Sequence, residues 1–304
     1  MVEVFKKIYD VLEKGNLILK EKNDYDSNLK VKMLLAYILG VKKEYLTLNL
    51  DEEIDDEKCK IFFEKIELLK NNYPIQYIIN KQSFYGLDFL VNQNVLIPQP
   101  DTEILVEEVL DYIKTLKNNE NKNVFFDNNS SLNILDMCTG SGAIAISISK
   151  NVESIFIKDN VKIYASDISS LALDVARKNN DDLLSDVCFI ESDLFTSIPN
   201  DIKFDVIVSN PPYIRTEVIN TLPEEVKNEP HIALDGMEDG LYFYREIIKQ
   251  AKEYLNKNGR IFFEIGYDQK DDVMNLFKEN SYINIYSKKD YGQNDRIVVG
   301  MKGE

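Results

Sequence analysis

The sequence predicts an α/β protein in which a doubly wound, mostly parallel sheet follows a small N-terminal helical bundle. Three patterns indicate this fold. Apolar strands alternate with helical stretches from Leu132 onward, which is typical of a parallel sheet covered by helices on both faces. The last two apolar stretches face each other across Lys288–Asp295 and predict an antiparallel hairpin. The N-terminal region carries only short helical patterns.

The N-terminal patterns predict several short helices. The first apolar stripe ends at Gly15, which stands where a left-handed C-terminal cap would close the helix. Further helical patterns precede Gly40, cover Lys43–Leu48 and begin near Asp55. Helices of this length with small connections favour a compact bundle. We therefore assign residues 1–72 to a helical domain.

The region that follows changes in character. Two aromatic stretches, 83–85 and 89–91, flank Gly86-Leu87-Asp88 and predict a β-hairpin. We treat residues 73–96 as a linker that contains this hairpin, and residues 97–304 as the second domain. The Asn-rich stretch 118–131 predicts a surface loop.

Apolar strands of the second domain are predicted at Leu132–Met137, Val161–Ser166, Val187–Glu191, Phe204–Ser209, Arg260–Ile265, Ile283–Ser287 and Arg296–Met301. Helical patterns at 142–150, 169–180 and 241–256 lie between them. A doubly wound sheet closed by an antiparallel hairpin is the arrangement of class I methyltransferases, whose sheet is seven-stranded.

Composition and charge exclude several classes of protein. Hydrophobic residues make up 44% of the chain and charged residues 29%, which is a globular balance. There is neither an apolar run of membrane-spanning length nor a signal-peptide pattern, so we expect a cytoplasmic protein without a membrane anchor. The net charge of −16 disfavours stable DNA binding, because phosphate backbones attract Lys and Arg.

Cysteine and histidine usage argues against a metal centre. The three cysteines, Cys59, Cys138 and Cys188, are widely separated, and His231 is the one histidine. This pattern fits neither a disulfide framework nor a zinc site. His231 follows a proline in a predicted loop, and we interpret it as a surface histidine. A monomer is the default expectation.

A glycine-rich turn after the first strand predicts a nucleoside site. Asp136–Ala145 reads DMCTGSGAIA and contains G-x-G-x-x-A, in which Gly140 and Gly142 let the backbone turn tightly beside a ligand. The candidate cofactor contacts in this turn are Cys138, Thr139, Gly140, Ser141 and Gly142. Such a turn also occurs in nucleotide and flavin proteins, so the motif alone leaves the ligand open.

Acidic residues at the next strand ends narrow the choice of ligand. Asp167 ends the second strand, where a carboxylate can accept both ribose hydroxyls of a nucleoside. Asp193 and Leu194 follow the third strand and can reach the adenine end. There is no Lys or Arg near the glycine turn to meet a pyrophosphate. S-adenosylmethionine carries no phosphate, so it is favoured over NAD.

The motif Asn210-Pro211-Pro212-Tyr213 directly follows the fourth strand, at the tip that faces the glycine turn in a doubly wound sheet. The side-chain carbonyl of Asn210 and the backbone carbonyl of Pro211 can accept the two hydrogens of a planar NH₂ group. Those bonds orient the nitrogen lone pair and stabilise developing positive charge. Tyr213 can stack on the planar group. We interpret the motif as the site of methylation of an amino nitrogen.

Three alternatives remain from the residues alone. A DNA adenine-N6 methyltransferase uses the same motif, but it requires a basic groove that this acidic chain does not predict. An NAD-dependent oxidoreductase leaves Asn210–Tyr213 unexplained. A non-catalytic S-adenosylmethionine-binding module is distinguished only by a turnover assay.

An ordered set of sequence blocks resembles the release factor glutamine methyltransferases, the HemK/PrmC family, from Pro74 to the C-terminus. The blocks are Pro74–Ile78, Leu96–Glu103, Asp136–Ala145, Ala165–Asp167, Asn210–Ile214, Glu229-Pro230, Ala233–Gly236, Asp239–Leu241, Phe263–Gly266 and Asp295–Ile297. The N-terminal helical region fits the small bundle of this family in size and position.

The resemblance implies methylation, from S-adenosylmethionine, of the side-chain amide nitrogen of the glutamine in the Gly-Gly-Gln motif of peptide chain release factors, the proteins of translation termination. It implies cofactor contacts at 138–142, Asp167, Leu194 and Asn210, and substrate contacts at 210–213. Gln99 stands where the family usually has Arg. We therefore carry no charge-based role to that position.

Overall fold

The computed structural model describes residues 6–20, 26–118, 131–152 and 161–303. The chain divides into two compact units. The first contains the described residues up to Lys81 together with Pro223–Asn228, and the second contains Gln82–Leu222 and the residues from Glu229 onward. This division falls at residue 81, whereas the sequence predicted boundaries at 72 and 96.

The described helices and strands follow one another as α1 (Ile8–Lys20), α2 (Ser27–Leu39), α3 (Lys43–Leu48), α4 (Asp56–Lys70), α5 (Ile75–Ile79), β1 (Gln82–Phe84), β2 (Leu87–Phe89), α6 (Glu103–Asn118), β3 (Leu132–Met137), α7 (Ala143–Val152), β4 (Val161–Asp167), α8 (Ser170–Asp182), β5 (Val187–Glu191), β6 (Phe204–Ser209), α9 (Thr216–Ile219), α10 (Glu224–Lys227), α11 (His231–Leu234), α12 (Tyr242–Tyr254), β7 (Leu255–Glu264), α13 (Lys270–Glu279), β8 (Tyr282–Lys289) and β9 (Asp295–Lys302). A 3₁₀ turn, Pro100–Thr102, precedes α6. None of the described helices has both the length and the apolarity that a bilayer crossing requires.

In the first unit, the apolar faces of α1, α2 and α4 form one core. The Asp55 side chain caps α4 by accepting a hydrogen bond from the backbone N–H of Glu57 at 2.8 Å, as expected for a helix that begins there. The predicted end of α1 at Gly15 is wrong, because the helix continues to Lys20. A Cβ on Gly15 would lie 2.9 Å from the Phe62 ring, so the glycine serves close packing rather than capping.

The second unit is built on a seven-stranded sheet with the order β5-β4-β3-β6-β7-β9-β8. The strands from β5 to β7 are parallel, and β9 is antiparallel to both β7 and β8. The predicted doubly wound sheet with an antiparallel C-terminal hairpin is confirmed. β7 begins at Leu255, five residues before the predicted start at Arg260.

Alternating residues of the strands pack on opposite faces of the sheet. Ile134 belongs to the core beneath α6 and α7, and its neighbour Leu135 belongs to the core beneath α12 and α13. The chain runs from β3 outward to β5 and then returns to β6 beside β3. This reversal places a crevice at the carboxyl ends of β3 and β6, where doubly wound sheets bind ligands.

The hairpin has a shorter turn than the sequence predicted. Phe84 pairs with Leu87, so only Tyr85 and Gly86 connect the strands. Their φ angles are 50° and 74°, and positive φ at both central residues characterises the tight turn that matches the twist of a hairpin. The predicted loop 118–131 lies for the most part, at residues 119–130, outside the described residues.

Candidate active site

A cavity of about 290 Å³ lies at the carboxyl ends of the central strands. Its walls come from the segments that follow β3, β4, β5 and β6, from Asn94–Leu96, and from residues between Pro230 and Phe243. Seven of the predicted site residues line it: Cys138, Gly140, Asp167, Asp193, Leu194, Asn210 and Pro212. The fold therefore brings the glycine turn, the acidic strand end and the Asn-Pro-Pro-Tyr motif to one cavity.

The buried side chain of Asp136 stabilises the glycine turn through hydrogen bonds. Its Oδ2 atom accepts hydrogen bonds from Thr139 Oγ1 at 2.6 Å and from the backbone N–H of Ala145 at 3.1 Å. Burial raises the pKa of Asp136 to about 7, although these two hydrogen bonds oppose the increase. Thr139 is thus committed to the turn itself and lies outside the cavity lining, as do Ser141 and Gly142.

Three residues of the turn adopt left-handed backbone conformations. Their φ angles are +61° for Cys138, +54° for Gly140 and +79° for Gly142. A Cβ on Gly142 would lie 3.0 Å from Ile146 Cδ1 and 3.2 Å from Ala176 Cβ, so glycine is required there for helix packing as well. At Cys138 a non-glycine residue occupies this region, and burial raises the pKa of its thiol well above the usual range. A raised pKa keeps the thiol protonated at neutral pH, which makes it a weak nucleophile.

Asp167 connects two backbone segments at the cavity wall. Its Oδ2 accepts the N–H of Gly140 and its Oδ1 accepts the N–H of Ser169, each at 2.9 Å. Burial raises its pKa, and the backbone hydrogen bonds oppose that increase. Each carboxylate oxygen retains acceptor capacity, since an ionised carboxylate offers about four lone-pair sites.

The charged side chains of the cavity lining are acidic. Among the described residues that line it, the charged side chains are those of Asp167 and Asp193, and no Lys or Arg takes part. Such a wall suits a ligand that carries positive charge and hydroxyl donors. It offers no cation to a pyrophosphate, in agreement with the expectation from the sequence.

Glycines and a glutamine hold the turn at Asn210–Tyr213. A Cβ on Gly236 would lie 2.7 Å from Tyr213 Cα, and one on Gly240 would lie 2.5 Å from the Tyr213 carbonyl oxygen. The Gln269 side chain donates to that same carbonyl at 3.0 Å. Sequence blocks that carried no assigned role, Ala233–Gly236 and Asp239–Leu241, therefore support the motif.

The four residues of the motif differ in their access to the cavity. Asn210 and Pro212 line it, whereas Pro211 is buried and is absent from the lining. The Tyr213 ring packs against the apolar core. Burial raises the pKa of its hydroxyl well above the usual range; the charge of Glu264 adds to this increase and that of Arg296 opposes it. Tyr213 does not line the cavity, so the stacking role stays a prediction.

The sequence did not indicate the wall formed by residues 230–243. Pro230, Ile232, Met237 and Tyr242 line the cavity there, and Ile232, Met237 and Tyr242 also expose apolar surface. The only signal for this wall was the set of resembling blocks in that stretch. His231 is exposed at the start of α11 and is not part of the lining, as the sequence indicated.

Fold and site together define a class I methyltransferase. Two family models match the chain, the PrmC N-terminal domain over residues 10–79 and the methyltransferase small domain over residues 123–223. The release factor glutamine methyltransferase of Clostridium acetobutylicum is 42% identical over 301 residues, which cover 98% of this chain and 99% of that relative. The chain therefore belongs to the release factor glutamine methyltransferase family.

A second relative supports the family, and a solved structure shares the fold. The release factor glutamine methyltransferase of Clostridium botulinum is 39% identical over 297 residues, covering 96% of this chain and 98% of that relative. Among solved structures, the hMettl16 catalytic domain in complex with a MAT2A 3′UTR hairpin aligns with a TM-score of 0.53 and 14% identity, over 83% of this chain and 84% of that one. This second likeness shows a shared fold alone.

Proposed function

We propose that this protein transfers the methyl group of S-adenosylmethionine to the side-chain amide nitrogen (N5) of the glutamine in the Gly-Gly-Gln motif of peptide chain release factors. The observation that carries the proposal is that Asn210 and Pro212 line the same cavity as Gly140 and Asp167. A methyl donor at the glycine turn and an amide at Asn210 would meet in that cavity. The names of the relatives support a release factor as the substrate.

The lining of the cavity fits S-adenosylmethionine. The volume of about 290 Å³ is close to the lower end of the roughly 300–1,000 Å³ typical of small-molecule sites. The carboxylates of Asp167 and Asp193 suit a ligand with a sulfonium, an ammonium and ribose hydroxyls, and without phosphate. When bound, the sulfonium supplies an electrophilic methyl group. Cys138, Gly140 and Leu194 would contact this ligand, with Thr139, Ser141 and Gly142 shaping the turn beneath it.

Asn210 and Pro211 would prepare the nitrogen nucleophile. An amide nitrogen is a poor nucleophile because its lone pair is delocalised into the carbonyl group. The Asn210 side-chain oxygen and the Pro211 backbone carbonyl would each accept one of its hydrogens, which orients the lone pair and stabilises positive charge as it develops. No strong base is needed, since the methylated amide cation releases its proton readily.

The helical N-terminal region, residues 1–72, would dock the protein substrate. A glutamine on a loop needs contacts remote from the reacting atom to be positioned for transfer. The match of residues 10–79 to the PrmC N-terminal domain supports this division of labour. The second unit carries every residue of the cavity lining.

The proposed function is tested by offering methyl-labelled S-adenosylmethionine with a release factor and, in parallel, with duplex DNA. We expect the label on the glutamine of the Gly-Gly-Gln motif and none in the DNA. Label on adenine, with the release factor unlabelled, would refute the proposal in favour of an adenine-N6 methyltransferase.

A further inference from the structure

Asn210 and Glu264 follow equivalent positions of neighbouring parallel strands. Ser209 of β6 pairs with Phe263 of β7, so the next residue of each chain segment lies at the same carboxyl edge of the sheet. Asn210 lines the cavity there, whereas Glu264 is only 3% exposed. A carboxyl group this deeply buried requires hydrogen-bond partners or a specific role.

Thr102 and Asn210 are polar side chains near the Glu264 carboxyl group. The Asn210 Nδ2 atom lies 3.4 Å from Thr102 Oγ1, and Thr102 is only 5% exposed. Burial raises the pKa of Glu264 to about 7, and hydrogen bonding to Thr102 and Asn210, together with the charge of Arg296, opposes this increase. Among the described residues, Glu264 Oε2 has no hydrogen-bond partner, so acceptor capacity remains beside Asn210.

Arg296 is held in place independently of Glu264. Its guanidinium donates to Asp290 Oδ2 and to Asp101 Oδ2, each at 3.1 Å. The removal of the Glu264 carboxyl group therefore does not leave this partly buried cation without an anionic partner.

The orientation of the Asn210 amide decides what the cavity can bind. An asparagine side chain has one end that donates and one that accepts, and the two ends have nearly the same shape. A carboxyl group retains an accepting oxygen in either protonation state. Glu264 therefore favours the orientation of Asn210 in which the NH₂ group faces Glu264. The Asn210 oxygen then faces the cavity, where it can accept from a substrate NH₂ group but repels a carboxylate.

We propose that Glu264 is a positioning residue which, with Thr102, holds the Asn210 amide nitrogen so that the Asn210 oxygen faces the cavity and selects an amide over a carboxylate. This inference rests on the proposed function, because it assigns the Asn210 oxygen to the substrate amide. The inference also goes beyond the proposed function, because it explains how glutamine is distinguished from glutamate at this site.

A double-mutant cycle tests the positioning role. Glu264→Leu removes both acceptor oxygens with little change in size, and Glu264→Gln keeps one. We expect Glu264→Leu to lower the single-turnover methylation rate roughly 10- to 100-fold and Glu264→Gln to restore part of it. In the Asn210→Ala background, Glu264→Leu should change the rate less than about threefold, because the residue it positions is gone.

The matched control is Asp205→Leu. Asp205 is a buried carboxylate at the opposite, amino end of β6, where it accepts the Asn133 N–H at 2.9 Å. This variant should cost stability and leave the methylation rate of the folded fraction unchanged. S-adenosylmethionine affinity, measured by calorimetry, should remain within about threefold in both leucine variants.

Two results would overturn the inference. One is a wild-type methylation rate in Glu264→Leu. The other is an equal loss in the wild-type and Asn210→Ala backgrounds, which would indicate a general structural effect. If circular dichroism shows Glu264→Leu to be unfolded, Thr102→Val replaces it in the cycle with Asn210→Ala, and the same two results would overturn the inference. A wild-type enzyme that places no label on glutamine would instead refute the proposed function itself.

Discussion

The Oδ2 atom of Asp167 accepts a hydrogen bond from the backbone N–H of Gly140 at 2.9 Å. This bond joins the carboxyl end of β4 to the glycine turn that follows β3. One carboxylate thus both stabilises the turn and presents acceptors to the cavity.

We expect Asp167→Ala to weaken S-adenosylmethionine binding by roughly 1.5–3 kcal/mol, because it removes the carboxylate that we propose accepts both ribose hydroxyls. Asp167→Asn keeps one acceptor oxygen but turns an NH₂ group towards one of the two backbone N–H donors, so it should weaken binding too. Calorimetry with S-adenosylmethionine, and with NAD as the comparison ligand, provides the measurement. Unchanged affinity in Asp167→Ala, or binding of NAD alone, would contradict this account of the cavity.

Gly236→Ala should impair methylation through the backbone of the motif. The added Cβ would lie 2.7 Å from Tyr213 Cα, and backbone at that distance must shift. A displacement of about 1 Å at a reacting group can cost on the order of 100-fold in rate. We therefore expect a large fall in single-turnover rate with a smaller change in cofactor affinity.

Gly292→Ala is the control for this substitution. Gly292 lies in the exposed turn between β8 and β9, and its added Cβ would meet side-chain atoms of Asn294 and Asp290 at 3.2 Å rather than backbone. Its rate should match the wild type. Equal rates for Gly236→Ala and Gly292→Ala would mean that Gly236 does not support the motif.

The Glu264 carboxyl makes stability depend on pH in a defined direction. Burial raises its pKa from the ordinary 4.5 to about 7, so the folded protein binds this proton more tightly than the unfolded chain. Its contribution to stability is present below about pH 4.5 and is lost as the pH rises towards about 7. The Glu264→Gln side chain does not titrate, so the variant should gain stability relative to wild type across this window.

Denaturant unfolding of both proteins between about pH 5 and 8 measures this difference. Asp136, whose pKa burial also raises to about 7, is common to both proteins, and its contribution cancels in the comparison. A difference in unfolding free energy that stays constant with pH would show that Glu264 does not titrate as described.

Local motifs predicted much of the fold and the cavity. The glycine turn, Asp167 and Asn210 could be identified because each is encoded by consecutive residues at a strand end, and parallel strands bring their carboxyl ends together. The strand–helix alternation predicted the sheet for the same reason. Gly15 shows the limit of such local inference, because a contact with Phe62, far along the chain, decides its role.

The remaining features depend on distant contacts or on elements too short to show periodicity. The four-residue helices α9, α10 and α11 have no hydrophobic repeat that could reveal them. Thr102 and Glu264 come from separate parts of the chain and meet only in the folded protein. Both lie in blocks that resembled the family. A match of sequence blocks does not show which residues contact each other, so it could not assign a role to Thr102 or Glu264.

Remote contacts should make whole release factors far better substrates than short peptides. A peptide that contains Gly-Gly-Gln offers the reacting amide but none of the surface that the helical region would dock. We expect kcat/KM for the peptide to be at least roughly 100-fold below that for the folded release factor, since remote binding energy supports the reaction. Equal values would refute a docking role for residues 1–72.

The most direct test of the central claim is single-turnover methylation of a release factor by Asn210→Ala, with S-adenosylmethionine binding followed separately. The control is Asn275→Ala, which removes an exposed asparagine on α13 outside the cavity lining. If Asn210 holds the substrate amide, the rate of Asn210→Ala should fall by roughly 10²–10³-fold, the effect of removing one oriented polar contact at developing charge. Cofactor affinity should fall far less, and Asn275→Ala should equal wild type. A wild-type rate in Asn210→Ala would contradict this claim, because the Asn-Pro-Pro-Tyr turn would then be a structural element and the methyl transfer would take place elsewhere.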